Sequence, residues 1–387
     1  MGEVKNWASL LEENTRLQAE MLSRSSVVWR HVALMPDAHL GRGATVGSVI
    51  ATKGAVIPAA VGVDIGCGMI AVETSLTKVD LPVSLQPLHQ QISRSIPSGI
   101  GGHGQRDEIE PRADKWLSEH LPSERVTDTR LYHRAAVQLG TLGSGNHFVE
   151  VCLDETEKVW VVIHSGSRGV GNRLADIHIQ AARNLCQEGG IELEDRDLAY
   201  LTEGTESFDA YVEDMDWAQR YALTNREFMM DAVLDQVFRF VGQGTEVQRI
   251  NCHHNFTRRE EHYGETVWLT RKGAIFAGVG ALGVVPGSMG AATYITSGLG
   301  NTASYSSSAH GAGRQRSRGA AKRELDLEGE QGLRQYMAGV AWNAEDAKAL
   351  MDEHPLAYKD IDQVMEDQKD LCRPIHKLRQ ILNYKGT

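Results

Sequence analysis

The sequence predicts an α+β fold: a single large domain over residues 1–387, with mixed and antiparallel sheets and surrounding helices. Three observations predict it. Apolar, β-branched runs of strand length end repeatedly in glycine clusters. A few longer stretches carry apolar residues at three- and four-residue spacing, the period of a helix face. Strands and helices do not alternate regularly, as a doubly wound parallel sheet requires. No repeat, low-complexity segment or Pro/Ser-rich linker marks a domain boundary.

Taken in order, a helix is expected over 8–23, followed by the strand-like run "VVWRHVALM" (27–35) before the glycine cluster at 41–47. The run "AVIPAAVGV" (55–63) enters the cluster at 62–68, and the next cluster lies at 140–145. "KVWVVIHSG" (158–166) leads into 166–171, and helices follow over 174–187 and 209–241. "RKGAIFAGV" (271–279) leads to the cluster at 278–290; a last cluster at 311–313 precedes a helix expected over 359–383. Glycine lets a backbone approach a ligand or another backbone closely, so six such loops imply one large shared site.

Composition excludes several classes. With 41% hydrophobic and 24% charged residues the chain is of ordinary globular type. The N-terminal "MGEVKNWASLLEENTRLQ" has no apolar signal core, Asn6 spoils a myristoylation match, and no apolar run has spanning length, so a cytoplasmic protein without membrane contact is expected. Five scattered cysteines without a CxxC pair argue against a disulfide scaffold or a four-cysteine zinc site. A net charge of -11 argues against general nucleic-acid coating and confines any such contact to a local patch. One patch qualifies: Arg314, Arg316, Arg318, Lys322 and Arg323.

Two glycine motifs mislead. "GVGALG" (278–283) matches GxGxxG, but "VVPGSMG" follows instead of a helix, so a dinucleotide site lacks its helix N-terminus. No GxxxxGK[ST] occurs, so a nucleotide is not held by a P-loop. Metal-binding residue types stand in four separate loops: Asp64 and Cys67 in "GVDIGCGM", His147 in "GSGNHFVE", His164 in "VIHSGSRG" and His254 in "NCHHNF". A carboxylate, a thiolate and imidazoles suit manganese, iron, zinc or cobalt rather than magnesium or calcium. Five ligands are too many for one closed tetrahedral site, and two ions sharing the thiolate fit better. Singly, each of these residues reads equally as a turn or core residue; the argument rests on their accumulation.

Together the segments resemble the RtcB family of GTP-dependent RNA ligases. The resemblance runs nearly end to end, through "MPDAHLGRGATVGSV" (35–49), "IPAAVGVDIGCGM" (57–69), "LGTLGSGNHFVEV" (139–151), "HSGSRGVGN" (164–172), "NCHHNF" (251–256), "RKGA" (271–274), "VPGSMGA" (285–291), "SSAHGAGR" (307–314) and the tail from 358 to 386. It implies an RtcB-like fold and an enzyme using GTP and two Mn2+ ions. Such an enzyme joins RNA 2′,3′-cyclic phosphate or 3′-phosphate ends to 5′-hydroxyl ends in RNA repair or tRNA splicing. A covalent histidine–GMP and an RNA(3′)pp(5′)G intermediate are implied with it. So are broken tRNA or other structured RNA as partner and an archease-type activator.

Residue by residue, the resemblance implies Asp64, Cys67, His147, His164 and His254 as metal ligands, with Cys67 bridging, and His310 as the guanylylated histidine. It implies guanine-nucleotide contacts at Asn146, His147, Phe148, Val149, Glu150, His254, Asn255, Pro286, Gly287, Ser288, Met289, Thr293, His310, Gly311, Ala312, Gly313 and Lys385. Glu150 would accept from the guanine N–H edge and Lys385 donate to its oxygen, a pattern that ATP reverses. Arg168, Arg314 and Arg318 are candidates for gripping phosphates, and Asp37 and His39 for supporting or water-activating groups. Departures fall at Ser144, at "FAGVGALG" and at Arg316, where RNA would pass, and suggest a repair-type relative. The alternatives are a metal-dependent cyclic phosphodiesterase without ligation, which would not need His310, Glu150 or Lys385, and a non-catalytic RNA-binding module, which would not need the metal ligands.

Overall fold

A computed structural model describes residues 2–99, 105–120, 123 and 129–386. Two sheets dominate. The larger is antiparallel throughout, with seven strands in the order Leu282–Pro286, Thr293–Gly298, Cys372–Lys385, Phe148–Leu153, Lys158–Ser165, Gly68–Thr77 and Glu246–His253. The smaller has five strands in the order Glu3–Asn6, Val28–His39, Val46–Thr52, Glu265–Lys272 and Asn255–His262, with only the first pair parallel. The mixed and antiparallel sheets expected of the sequence are thus observed.

The central strands read as continuous apolar runs because both faces of the seven-stranded sheet are covered. Alternation sends Val149, Val151, Val161 and Ile163 to one core and Phe148, Cys152, Trp160 and Val162 to another. The first core is closed by the long helix Glu206–Val241 through Met229, Met230, Val233 and Val237. Thr205 caps the start of that helix by accepting from the Phe208 N–H, and Gly242, with φ of 84°, ends it. The helices expected over 174–187 and 209–241 appear as Arg168–Glu188 and Glu206–Val241.

Three local expectations are corrected. The stretch 359–383 is not one helix: a short helix, Ile361–Asp367, is followed by the strand Cys372–Lys385. Its three- and four-residue spacing is genuine, but pairing with Thr293–Gly298 on one side and Phe148–Leu153 on the other outweighs local periodicity, and Pro374 disfavours a helix interior. The first helix begins at Glu13 rather than at 8, because Asp367 accepts from both the amide and the hydroxyl of Ser9 and holds that segment away. Within 55–63 only Ala55–Val56 is strand; Pro58 starts a helical turn over Pro58–Val61. No helix among the described residues is long and apolar enough to cross a membrane.

The chain passes from the large sheet to the small one at a single residue, His254, between the strands ending at His253 and beginning at Asn255. The junction of the two sheets is therefore built around a histidine.

Candidate active site

Beside this junction lies a cavity of about 370 Å³. Four of the six glycine clusters reach it, through Arg42 and Val46, through Gly62 to Cys67, through Pro286 to Met289, and through Gly311 to Gly313. The clusters at 140–145 and 166–171 stand behind it. A Cβ on Gly166 would lie 2.2 Å from Asp64 Oδ1, so a side chain there would displace the carboxylate. At Gly313, with φ of 70°, a Cβ would meet the Asp37 carbonyl oxygen at 2.2 Å.

The five sequence-predicted ligands converge at one end. Cys67 Sγ lies 3.5 Å from His147 Nε2 and 3.3 Å from His164 Nε2, and these three ligand atoms form a group able to hold a metal. Asp64 Oδ2 is 3.2 Å from His147 Nε2, and His254 Nε2 is 2.9 Å from His164 Nε2. His147 and His164 each turn Nδ1 onto a backbone carbonyl, of Leu142 at 2.9 Å and of Asn146 at 3.0 Å. Donation from Nδ1 fixes the tautomer that leaves the Nε2 lone pair toward the centre. Among the described residues, His254 Nδ1 is buried without a hydrogen-bond partner.

Electrostatics fit a cation. Burial, reinforced by neighbouring histidines, holds His164 and His254 well below the ordinary histidine value, which keeps them neutral as ligation requires. Burial pushes the Cys67 thiol well up, and the Asp64 carboxylate adds to the rise, so a cation is what would favour its thiolate. Burial also works against the Asp64 charge, but the neighbouring His147 outweighs it and holds that carboxyl down. These donors suit the borderline-soft metals anticipated from the sequence.

Residues that sequence reasoning missed hold this cluster together. On the long helix, Asn225 accepts from the Gly140 and Thr141 amides at 2.7 and 3.2 Å and donates to the Thr141 carbonyl at 3.1 Å and to the Gly166 carbonyl at 3.2 Å. The adjacent Arg226 donates to the carbonyls of Gly66 at 2.8 Å and Ser165 at 3.0 Å, and to Asn251 Oδ1 at 2.8 Å. Both are fully buried and tie three ligand-bearing loops to one helix. The signal was there: an Asn–Arg pair at the same helical spacing as Ala222 and Met229.

His310 projects into the cavity beside the cluster, its ring centroid 4.6 Å from that of His254. Asp37, fully buried, places Oδ2 2.6 Å from His310 Nδ1 and accepts the His310 backbone N–H at 3.1 Å. His39 also lines the cavity. Lys272, within the "RKGA" segment but not singled out, lies on the same wall; burial pushes its ammonium down to about 7 while it donates to the carbonyls of Arg42 and Ala59.

At the far end, Glu150 faces the cavity from the strand Phe148–Leu153. Burial pushes its carboxyl up to about 8, against the pull of Lys385, and Asn383 Nδ2 donates to Oε1 at 2.9 Å. Asn146, Phe148, Pro286, Gly287, Ser288, Met289, Ala312 and Lys385 line the same cavity, as does Asn255, whose Nδ2 donates to the Asp64 carbonyl at 3.4 Å. Five expected residues do not line the cavity: His147 and Asp37, which reach it through Cys67 and His310, and three others. Val149 points to the opposite face of its strand, Thr293 is buried behind the wall, and Arg168 donates Nε to Thr141 Oγ1 at 3.0 Å, behind the ligands. Arg314 and Arg318 line the cavity, whereas Arg316 turns away to Glu324 and the Leu356 carbonyl.

A family model described as tRNA-splicing ligase RtcB matches residues 18–386. The chain is 43% identical to the RNA-splicing ligase RtcB of Escherichia coli K12, over 99% of this chain and 97% of that protein. It is 30% identical to the RNA-splicing ligase RtcB of Mycobacterium tuberculosis, over 91% of this chain and 96% of that one. With the tRNA-splicing ligase RtcB of Methanococcus maripaludis it shares 29% identity, over 89% and 84%.

Proposed function

The chain belongs to the RtcB family, and on that footing we propose that it is an RNA ligase of RNA repair or tRNA splicing, using GTP and two Mn2+ ions and acting as one catalytic domain over 1–387. It joins RNA 2′,3′-cyclic phosphate or 3′-phosphate ends to 5′-hydroxyl ends. The observation that carries the reading is that residues of the Cys/His cluster, His310, Glu150 and Lys385 all line one cavity, with Asp37 2.6 Å from His310 Nδ1. A phosphodiesterase would require the first part of this arrangement only.

Asp64, Cys67, His147, His164 and His254 would hold manganese, which supplies charge neutralisation at phosphate oxygens. The remaining work falls to the chain's own residues. Glu150, once ionised, accepts from the guanine N–H edge, and Lys385 donates to its oxygen. Asp37 engages His310 Nδ1, which leaves Nε2 as the nucleophile. Nε2 forms a bond to the α-phosphorus of GTP as the bond to pyrophosphate breaks. The guanylyl group then passes from His310 to an RNA 3′-phosphate, giving RNA(3′)pp(5′)G. A 5′-hydroxyl displaces GMP and seals the strand. Arg314 and Arg318 stand where phosphate oxygens would be gripped.

Broken tRNA or another structured RNA is the proposed partner, with an archease-type activator as a further one, and the cytoplasm is the proposed compartment. The test is covalent labelling. Protein incubated with manganese and α-labelled GTP should acquire an acid-labile, alkali-stable label that His310→Ala abolishes. Folded protein that takes up no label would refute the reading.

A further inference from the structure

Four donors close on one carboxylate that the mechanism above does not use. Glu353, in the short turn Met351–Glu353, is 2% exposed and lines the nucleotide end of the cavity. Its Oε2 lies 2.7 Å from Lys385 Nζ and accepts from the Tyr358 hydroxyl at 2.7 Å. Its Oε1 accepts from Arg318 Nη1 at 2.6 Å and from Arg314 Nη1 at 3.3 Å. Glu353 is the carboxylate within ion-pair distance of Lys385 among the described residues; Glu150 is engaged instead by Asn383.

We infer that Glu353 is a positioning residue that holds the Lys385 ammonium where it donates to a guanine oxygen and thereby makes the cavity select guanine over adenine. The inference rests on the GTP reading above and deepens it. An ammonium has three donors and no lone pair, whereas a neutral amine can also accept. Guanine presents an oxygen where adenine presents an amino group. A donor-only Lys385 therefore satisfies guanine and opposes adenine; an amine would satisfy either. Lys385 is itself almost fully enclosed, its side chain 7% exposed, and an enclosed charge is costly unless it is paired. Glu353 supplies the counter-charge and, through Tyr358 and the two arginines, is held in one orientation.

The experiment uses the full chain with manganese and α-labelled GTP or ATP, and reads the ratio of labelling rates. Wild type should prefer GTP. Glu353→Gln should lower the GTP-to-ATP ratio by at least about tenfold, through a loss of labelling by GTP. Glu353→Met, which fills the volume without charge, carries the same expectation and serves where the glutamine variant does not fold. Glu353→Asp, which keeps the charge, should preserve the preference. In a Lys385→Met background the Glu353→Gln change should leave the ratio unaltered, because its effect passes through the lysine. A Glu353 variant that slows both nucleotides alike, with an unchanged ratio, would overturn the inference and leave a structural role only. Wild-type protein that takes label from neither nucleotide would overturn the GTP reading itself, an outcome distinguishable from the first.

Discussion

Asp37 reaches His310 twice, through Oδ2 at 2.6 Å from the ring Nδ1 and through acceptance of the backbone N–H at 3.1 Å. Among the described residues its other oxygen accepts no hydrogen bond, and the contact with His310 Nδ1 is an ion-pair approach outside hydrogen-bond alignment. One carboxylate therefore anchors the backbone of the residue and places a negative charge beside its ring. Asp37→Asn should leave the fold intact and lower the rate of GTP labelling by roughly a hundredfold or more, since an amide no longer favours the tautomer with a nucleophilic Nε2. Labelling kinetics of the variant beside His310→Ala check this; a rate within threefold of wild type would rule out the orienting role.

Nucleotide binding should strengthen as pH rises from 7 to 9. Burial holds the Glu150 carboxyl at about 8 in the empty cavity, so near pH 7 it is mostly protonated and must lose its proton to accept from guanine. Below about 8 the affinity should climb by up to about tenfold per pH unit, and above it level off. Calorimetry with GTP across this range measures the slope, and Glu150→Gln should flatten it.

The metal-free protein should lose stability as pH falls below about 6.5. His164 and His254 have folded values depressed by burial, so the unfolded chain binds more protons than the folded one in the window below the ordinary value. Their contribution is complete above that value and is lost on going down through it. Thermal melts from pH 8 to 5 in chelator read this out; a melting temperature that rose on acidification would contradict it.

Manganese should raise the melting temperature of wild-type protein and not that of Cys67→Ala. Free metal at a hundred times its dissociation constant stabilises a folded site by about 2.7 kcal/mol. Cys67 is the point at which the His147 and His164 ligand atoms meet, so its loss removes the contact shared by both.

Asn225→Ala should cost about 2–4 kcal/mol in denaturant unfolding, because the Gly140 and Thr141 amides lose a buried acceptor. Metal affinity should fall with it, since the loops bearing His147 and His164 are tied to that side chain.

Much of the site was legible in the sequence because its residues sit in glycine loops at strand ends, where function and backbone geometry leave a joint mark. The buried runs around Trp160 and the helix ending at Gly242 were legible through composition and through apolar spacing of three and four residues. The strand Cys372–Lys385 was not, because its neighbours come from residues 148–153 and 293–298, and no local period encodes such distant pairing. Glu353 and Tyr358 were missed for a related reason: their meaning lies in Lys385, Arg314 and Arg318, which only the fold brings to them. Val149 shows the converse, a motif residue that the strand pleat turns away from the cavity.

The central claim is that one cavity both activates a 3′-phosphate and seals it to a 5′-hydroxyl. Two short RNAs, one ending in a 3′-phosphate or 2′,3′-cyclic phosphate and one beginning with a 5′-hydroxyl, incubated with the protein, manganese and GTP, test it most directly. A joined strand that appears with GTP, not with ATP, and disappears in His310→Ala is the predicted result. Opening of the cyclic phosphate without any joined product, under conditions where the protein is folded and metal-loaded, would contradict it and favour the phosphodiesterase.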